Sequence, residues 1–307
     1  MILPSHNPDP GRLRRVLSAL REQTLSAARW EGLVVDNASS PPIVATCGRE
    51  LLPDNCRVVE EPKLGLTAAR RRGVSEARGE WIVMVDDDNV LSPDYLERVD
   101  EIFESQPEVG AIGGRSLPEF ESQPAVWVRE FDSLLACRDL GGKALVSEGG
   151  ELSGGAGSSV YPYAPIGAGM AVRARALEPW LGSPQEEWLT DRRGSELTSG
   201  GDNDITFTVR RHGWRLGYFP ELSLVHIVPR SRTSREYLAR LNRGISKSWI
   251  RVLAKHGICP WSPVPRWSVP LRQLKAWITY RAWSDPAAHV RWQGACGHFE
   301  GRAELGR

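Results

Sequence analysis

Long apolar runs are missing from this 307-residue chain. Nothing approaches the ~18 consecutive apolar residues that would span a bilayer. No charged-then-apolar leader ends in a small-residue cleavage site. A protein threaded through a membrane or exported is therefore not expected. Cysteine is scarce: five residues, at 47, 56, 137, 259 and 296, far apart and without a CxxC pair. That excludes a disulfide framework or a cysteine-built zinc site, and reduced thiols in a cytoplasmic protein are expected instead. The glycine-rich strand at residues 109–114 lacks the GxGxxG spacing that opens a helix over a dinucleotide. Acidic residues almost vanish after residue 228, where four face 15 lysines and arginines. That segment carries +11 of a chain total of +1, which leaves −10 on residues 1–228. Six of the 12 tryptophans also lie in this basic segment.

What is present reads as an α/β protein, long enough at 307 residues and apolar enough at 41% to bury a sizeable core. Residues 81–85, Trp-Ile-Val-Met-Val, make a run suited to a strand buried on both faces. It ends in Asp86-Asp87-Asp88-Asn89. Three adjacent carboxylates repel one another unless water or a cation neutralises them. Ligands of open α/β sheets bind beyond the carboxyl ends of the strands. Hard cations such as Mg²⁺ or Mn²⁺ prefer oxygen ligands and can bridge a protein to a diphosphate. A metal–nucleotide site is expected at this turn.

The other segments fall into alternating strands and helices. Residues 1–3 read as a short strand, as if its start lay upstream, entering the loop Pro4-Ser5-His6-Asn7-Pro8. Residues 12–29 have helical spacing, and residues 33–35 form a strand that places Asp36 at its carboxyl end. After a third strand at 57–60, a helix is expected from Thr67, as N-cap, to about residue 77. Arg70, Arg71 and Arg72 would crowd its first turns, where phosphate is favoured. Ser92 and Pro93 are expected to open the next helix, with Tyr95, Leu96, Val99, Ile102 and Phe103 as its buried stripe. Residues 116–160 read as irregular, with a glycine-rich stretch at 141–159 that is either a loop over the site or simply a long insertion. The small and apolar residues of 164–172, Gly169 and Met170 among them, would let backbone approach a ligand or simply form a tightly packed strand. Gly201-Asp202-Asn203-Asp204 opens a helix whose two acids serve as caps or send one carboxylate into the cleft. Residues 214–219 and 222–225 read as two strands, the second ending at His226. Residues 234–256 read as a helix with Tyr237, Leu238, Leu241, Ile245, Trp249 and Leu253 on one face.

In their order, these segments resemble the family 2 glycosyltransferases, in particular non-processive, bacterial-type members. Pro4-Ser5-His6-Asn7 is similar to the family's opening Pro-Thr-Tyr-Asn. Val34-Val35-Asp36-Asn37-Ala38-Ser39 is similar to its second-strand motif, and Gly65-Leu66-Thr67-Ala68-Ala69-Arg70 to its Gly-Leu-Ser-x-Ala-Arg segment. Asp86-Asp87-Asp88 matches its Asp-x-Asp motif, and Gly201-Asp202-Asn203-Asp204-Ile205 its later acidic motif. Departures are His6 for Tyr, Arg71 for Asn and Gly201 where many members carry Glu. The Gln/Arg-x-x-Arg-Trp motif of processive synthases is missing.

The resemblance implies a GT-A fold, a mixed and mostly parallel sheet with flanking helices, over residues 1–229. Residues 230–307 would be a basic, Trp-rich, mostly helical extension. It also implies an inverting transfer of one sugar from a nucleotide-diphosphate sugar, UDP favoured, to a carbohydrate or lipid-linked acceptor in polysaccharide biosynthesis. Asp202 would be the catalytic base, with Asp204 as the rival. Pro4, Ser5, Asn7, Asp36, Arg70, Asp86 and Asp87 would hold the donor, and Asp88 and His226 would ligate Mn²⁺ or Mg²⁺. Gly169, Met170, Asp204, Arg230 and Arg232 are candidate acceptor or diphosphate contacts. Two readings compete for the extension: a cap whose tryptophans pack on the catalytic domain, and a surface resting on the inner face of an anionic membrane. No nucleic-acid recognition motif accompanies its charge. A nucleotidyltransferase is a rival, but residues 4–12 hold one glycine in place of a triphosphate-binding glycine-rich loop. A catalytically silent nucleotide-sugar-binding protein is the other.

Overall fold

A computed structural model describes residues 1–148, 164–191 and 197–305. In chain order its elements are β1 (Ile2–Ser5), α1 (Pro10–Arg21), β2 (Gly32–Asp36), α2 (Ile43–Cys47), β3 (Cys56–Glu60), α3 (Leu66–Glu76), β4 (Trp81–Val83), β5 (Asn89–Leu91) and α4 (Tyr95–Ser105). Then follow β6 (Val109–Phe120), β7 (Leu145–Val146), β8 (Ala171–Arg173), α5 (Ala174–Gly182), α6 (Gly201–Arg211), β9 (Arg215–Val228), α7 (Arg235–Lys255), α8 (Val269–Thr279) and α9 (Pro286–Glu304). Strands β1, β2 and β3 pair in parallel. A parallel bridge between Ile2 and Met84 joins them to a second sheet of order β4-β8-β6-β9-β5. There β6 and β9 are parallel, while β8 runs antiparallel to β4 and β6, and β5 antiparallel to β9. The sheet is thus mixed, parallel in its first half and largely antiparallel in its second.

Strand alternation sends neighbouring residues to opposite layers. Leu3, Val34, Val83 and Val85 pack against Leu13, Val16 and Leu17 of α1 and Tyr95, Val99 and Phe103 of α4. Ile2, Leu33, Ile82 and Met84 pack the other way, against Leu177 and Trp180 of α5 and Ile205 and Val209 of α6. The run at residues 81–85 needs apolar residues at every position because both its faces are covered.

Several boundaries differ from the sequence expectation, each for a local reason. Strand β1 continues through Pro4 to Ser5. Helix α1 stops at Arg21, where Gln23 and Thr24 break the apolar period, and it starts under Asp9, which accepts from the Gly11 and Arg12 N–H groups. Thr67 lies inside α3, and Asp94 stands before α4 without a side-chain cap, so neither Thr67 nor Ser92 is an N-cap. Residues 116–120 extend β6, and residues 126–135 form a 3₁₀ helix. The two strands expected around residue 220 are one, β9. The register shift between paired Tyr218 and Ser223 accommodates Pro220, which has no N–H to give a ladder. From residue 149 on, the glycine-rich stretch expected as a loop over the site or an insertion lies outside the described residues.

Past residue 229, α7 and α9 pack together and onto the 3₁₀ helix at 126–135 through Leu238, Leu241 and Val290. Val252 and Leu253 of α7 meet Phe207 of α6 and Leu189. Among the described residues, no helix is long and apolar enough to cross a membrane.

Candidate functional site

The carboxyl ends of β1, β2 and β4 point the same way, because β1 is parallel to both neighbours. The loops beyond them, with the starts of α3 and α6 and the end of β9, surround a cleft of about 290 Å³. Its lining includes Pro4, Ser5, Arg70, Asp86, Asp87, Asp88, Asp202, His226 and Arg232.

The acidic turn is held by the sheet. Asn89 pairs with His226 across β5 and β9, and the Ile227 N–H donates to the Asp88 carbonyl. This brings His226 Nε2 to 3.5 Å from Asp88 Oδ1, with both side chains buried. Neither ring nitrogen of His226 has a hydrogen-bond partner. A buried imidazole left unsatisfied beside a carboxylate suits a metal ligand. Among the described residues, no three His, Cys, Asp or Glu side chains already form a cage. Asp88 and His226 fit Mn²⁺ or Mg²⁺ completed by diphosphate oxygens and water, the usual habit of such ions. Arg232, on the 3₁₀ turn after β9, donates to Asp88 Oδ2 at 2.8 Å and supplies the local positive charge.

Asp87 shows what this crowding costs. Burial, together with the Asp88 charge, pushes its carboxyl up from 3.8 to about 7, although the Ser5 hydroxyl donates to it. The folded chain therefore holds a proton between pH 4 and 7 that the unfolded chain releases, so stability falls as pH rises through that window. Asp87→Asn should raise the melting temperature at pH 8 by roughly 2–4 °C for each kcal/mol relieved. The gain should shrink toward pH 4, and melting curves showing a pH-independent difference would contradict this.

The three arginines of α3 part company. Arg70 is buried, with Nη2 3.3 Å from Asp86 Oδ1 and its Nε unpartnered. A Cβ at Gly167 would stand 2.6 Å from that guanidinium, so a side chain there would have to displace it. Arg71 instead donates to the Trp180, Leu181 and Ser183 carbonyls, and Arg72 pairs with Glu76. Neither is a phosphate ligand here.

At the start of α6 the two acids separate. Asp202 lines the cleft, and its Oδ2 accepts from the Gly167 N–H at 3.1 Å. Asp204 is buried behind it, bound by Lys255 Nζ at 2.8 Å, His256 Nε2 at 2.9 Å and Trp180 Nε1 at 3.0 Å. Burial opposes its charge, but His256 and Lys255 hold its carboxyl below the usual range. Asp204 is a structural hub and drops out as the rival base.

Other expected contacts lie off the cleft. Gly169 gives its carbonyl to Tyr95, and Met170 is fully buried in the core, so neither offers a surface to an acceptor. Asp36 is buried, accepting from the Ser39 and Ile43 N–H groups, and so shapes the loop after β2. Asn7, in the loop after β1, is tied to that loop through the Ser39 hydroxyl and the Ser40 N–H. Arg230 is exposed on the turn before α7.

Sequence reading missed three positions. Asn37 donates to the Glu61 and Lys63 carbonyls and accepts from the Gly65 N–H, tying the loop before α3 to the cleft wall. The His6 ring lies 2.7 Å from the Asn37 carbonyl. Asp191 lines the cleft and accepts from the Gly201 N–H, and a Cβ at Gly201 would stand 2.2 Å from its carboxylate. An acid from another stretch thus fills the space a side chain at 201 would use. The glycine at 201 was the one available signal.

Comparison with known proteins follows the same outline. The family described as "Glycosyl transferase family 2" matches residues 1–154, and "Glycosyl transferase family group 2" matches residues 81–284. A glucosyl-dolichyl phosphate glucuronosyltransferase of Haloferax volcanii is 30% identical over 78 residues, 25% of each chain. Such alignments span between 10% and 36% of the curated relatives' own length. Among solved structures, a mannosyltransferase from Pyrobaculum calidifontis in complex with GDP-Man and Mn²⁺ has a TM-score of 0.57 at 19% identity, over 94% of this chain and 72% of that one. S. aureus TarS 1-349 in complex with UDP-GlcNAc has a TM-score of 0.51 at 13% identity, over 100% and 91%.

Proposed function

The chain belongs to glycosyl transferase family 2 and has the GT-A fold, and from that premise we propose a metal-dependent, inverting, single transfer of sugar from a nucleotide-diphosphate sugar to an acceptor hydroxyl. The observation that carries this reading is convergence. Asp86, Asp87 and Asp88, Arg70, Asp202, His226 and Arg232 come from separate stretches and line one cleft.

In this reading Ser5, Asp86 and Asp87 meet the ribose side of the donor. Arg70 meets the base or diphosphate, while Asp36 and Asn37 set the loop walls around the base. Asp88 and His226 would hold Mn²⁺ or Mg²⁺, which when bound supplies charge against the departing diphosphate. Arg232 moves from Asp88 to the diphosphate oxygens, a cation exchanging one oxyanion for another. Asp202 takes the acceptor proton while the acceptor oxygen bonds the anomeric carbon and the diphosphate oxygen leaves from the opposite face. A UDP-sugar is the donor we favour, with a carbohydrate or lipid-linked hydroxyl as acceptor.

A thermal-shift panel of nucleoside diphosphates and their sugars, with Mn²⁺, tests the reading, and no response across the panel would reject it. Asp88→Ala should reduce Mn²⁺-dependent nucleotide affinity by about 10²-fold in calorimetry. Affinity without metal should change little, and an unaltered Mn²⁺ dependence would remove Asp88 from the ligand set.

A further inference from the structure

We propose that α8 is a docking element that lays its outer face on a bilayer containing anionic phospholipid. Trp267, on the 3₁₀ turn that leads into α8, precedes Leu271, Leu274 and Ile278, which fall at i, i+3 and i+7 on one stripe of α8. They are 74%, 62%, 56% and 57% exposed, so the stripe faces away from the protein. On the opposite side Ala276 is buried, and α8 packs on α9. Trp277 and Trp283, also exposed, lie just beyond the stripe with ring centroids 4.5 Å apart and planes tilted by 48°. This inverts the usual amphipathic arrangement, and a contiguous apolar face of this kind marks an interaction surface.

Charge selects the partner. Between Glu236 and Asp285 the sequence has nine lysines and arginines and no acid, of which Arg243, Lys247, Arg251 and Lys255 on α7 pair with Glu300, Glu304 and Asp204. Arg266 and Lys275 flank the exposed stripe. Beside it, Arg272, Lys275 and Arg291 line a groove of about 710 Å³, to which no carboxylate contributes among the described residues, while Arg291 also reaches Glu130 at 3.2 Å outside it. A second copy of the chain would set these cations against themselves. An anionic headgroup layer satisfies them, with tryptophan rings at headgroup depth and aliphatic side chains below. The −10 of residues 1–228 would be repelled by the same layer, so electrostatics also orient the protein with α8 down. This inference stands apart from the identity of donor and acceptor.

Sedimentation of the full chain with phosphatidylcholine vesicles containing about one-third phosphatidylglycerol tests it. Binding should be about tenfold weaker to phosphatidylcholine alone. The combined Leu271→Ser, Leu274→Ser and Ile278→Ser variant should bind anionic vesicles at least about tenfold more weakly. These positions are exposed, so the circular dichroism spectrum should not change. Arg266→Glu with Lys275→Glu should weaken binding to anionic vesicles only. Failure of the native chain to bind anionic vesicles, or equal binding by the triple variant, overturns the proposal. So does a dimer in light scattering that the triple variant abolishes while vesicle binding persists.

Discussion

Asp202→Asn is expected to lower turnover by about 10²–10⁴-fold, the range of general-base assistance, while nucleotide affinity stays within about twofold. Asparagine keeps the size of the side chain, and its carbonyl oxygen can still accept from the Gly167 N–H. What it lacks is a site for the acceptor's proton. Release of nucleoside diphosphate under saturating donor and acceptor measures the first quantity, and calorimetry with Mn²⁺ measures the second. Near-normal turnover would remove Asp202 as the base. A parallel loss of donor binding would make it a positioning group instead.

The neighbouring acid should behave differently. Asp204→Ala is expected to destabilise the fold by about 3–5 kcal/mol, the cost of breaking a buried ion pair by removing one partner. Lys255, His256 and the Trp180 indole would all lose their acceptor inside the protein. Because Asp204 is held below the usual carboxylate range, its contribution is present above the unfolded carboxyl value of ~3.9 and lost as pH falls through the lower folded one. Urea titration at pH 7 and pH 3 would show both effects, with the variant's deficit smaller in acid. A deficit under about 1 kcal/mol at pH 7 would mean that Lys255 and His256 find water or other partners.

These two acids mark how far the sequence could be read. The turn at Asp86–Asp88 is legible because an apolar run and a polar stop are local features, and the stripe of α4 for the same reason. Whether Asp202 or Asp204 faces the cleft is settled by Lys255 and His256, more than 50 residues away, and by Trp180. Gly169 and Met170 illustrate the converse: a small and apolar stretch suits both a ligand wall and a packed core, and the Tyr95 contact to Gly169 and the full burial of Met170 decide for the core. Asp191 reaches Gly201 only through the fold. In α8 the composition is readable, but which way its apolar stripe turns depends on where α9 lies.

The backbone ladder between β5 and β9 has a consequence for how such enzymes can diversify. Leu224, Val225 and His226 sit opposite Leu91, Val90 and Asn89, so the imidazole owes its aim to pleat parity. Point changes nearby leave that parity alone, whereas gaining or losing one residue within 224–226 would swing the ring to the far side of the sheet. Insertions and deletions are therefore tolerated better in the loops that flank these two strands than within the paired residues.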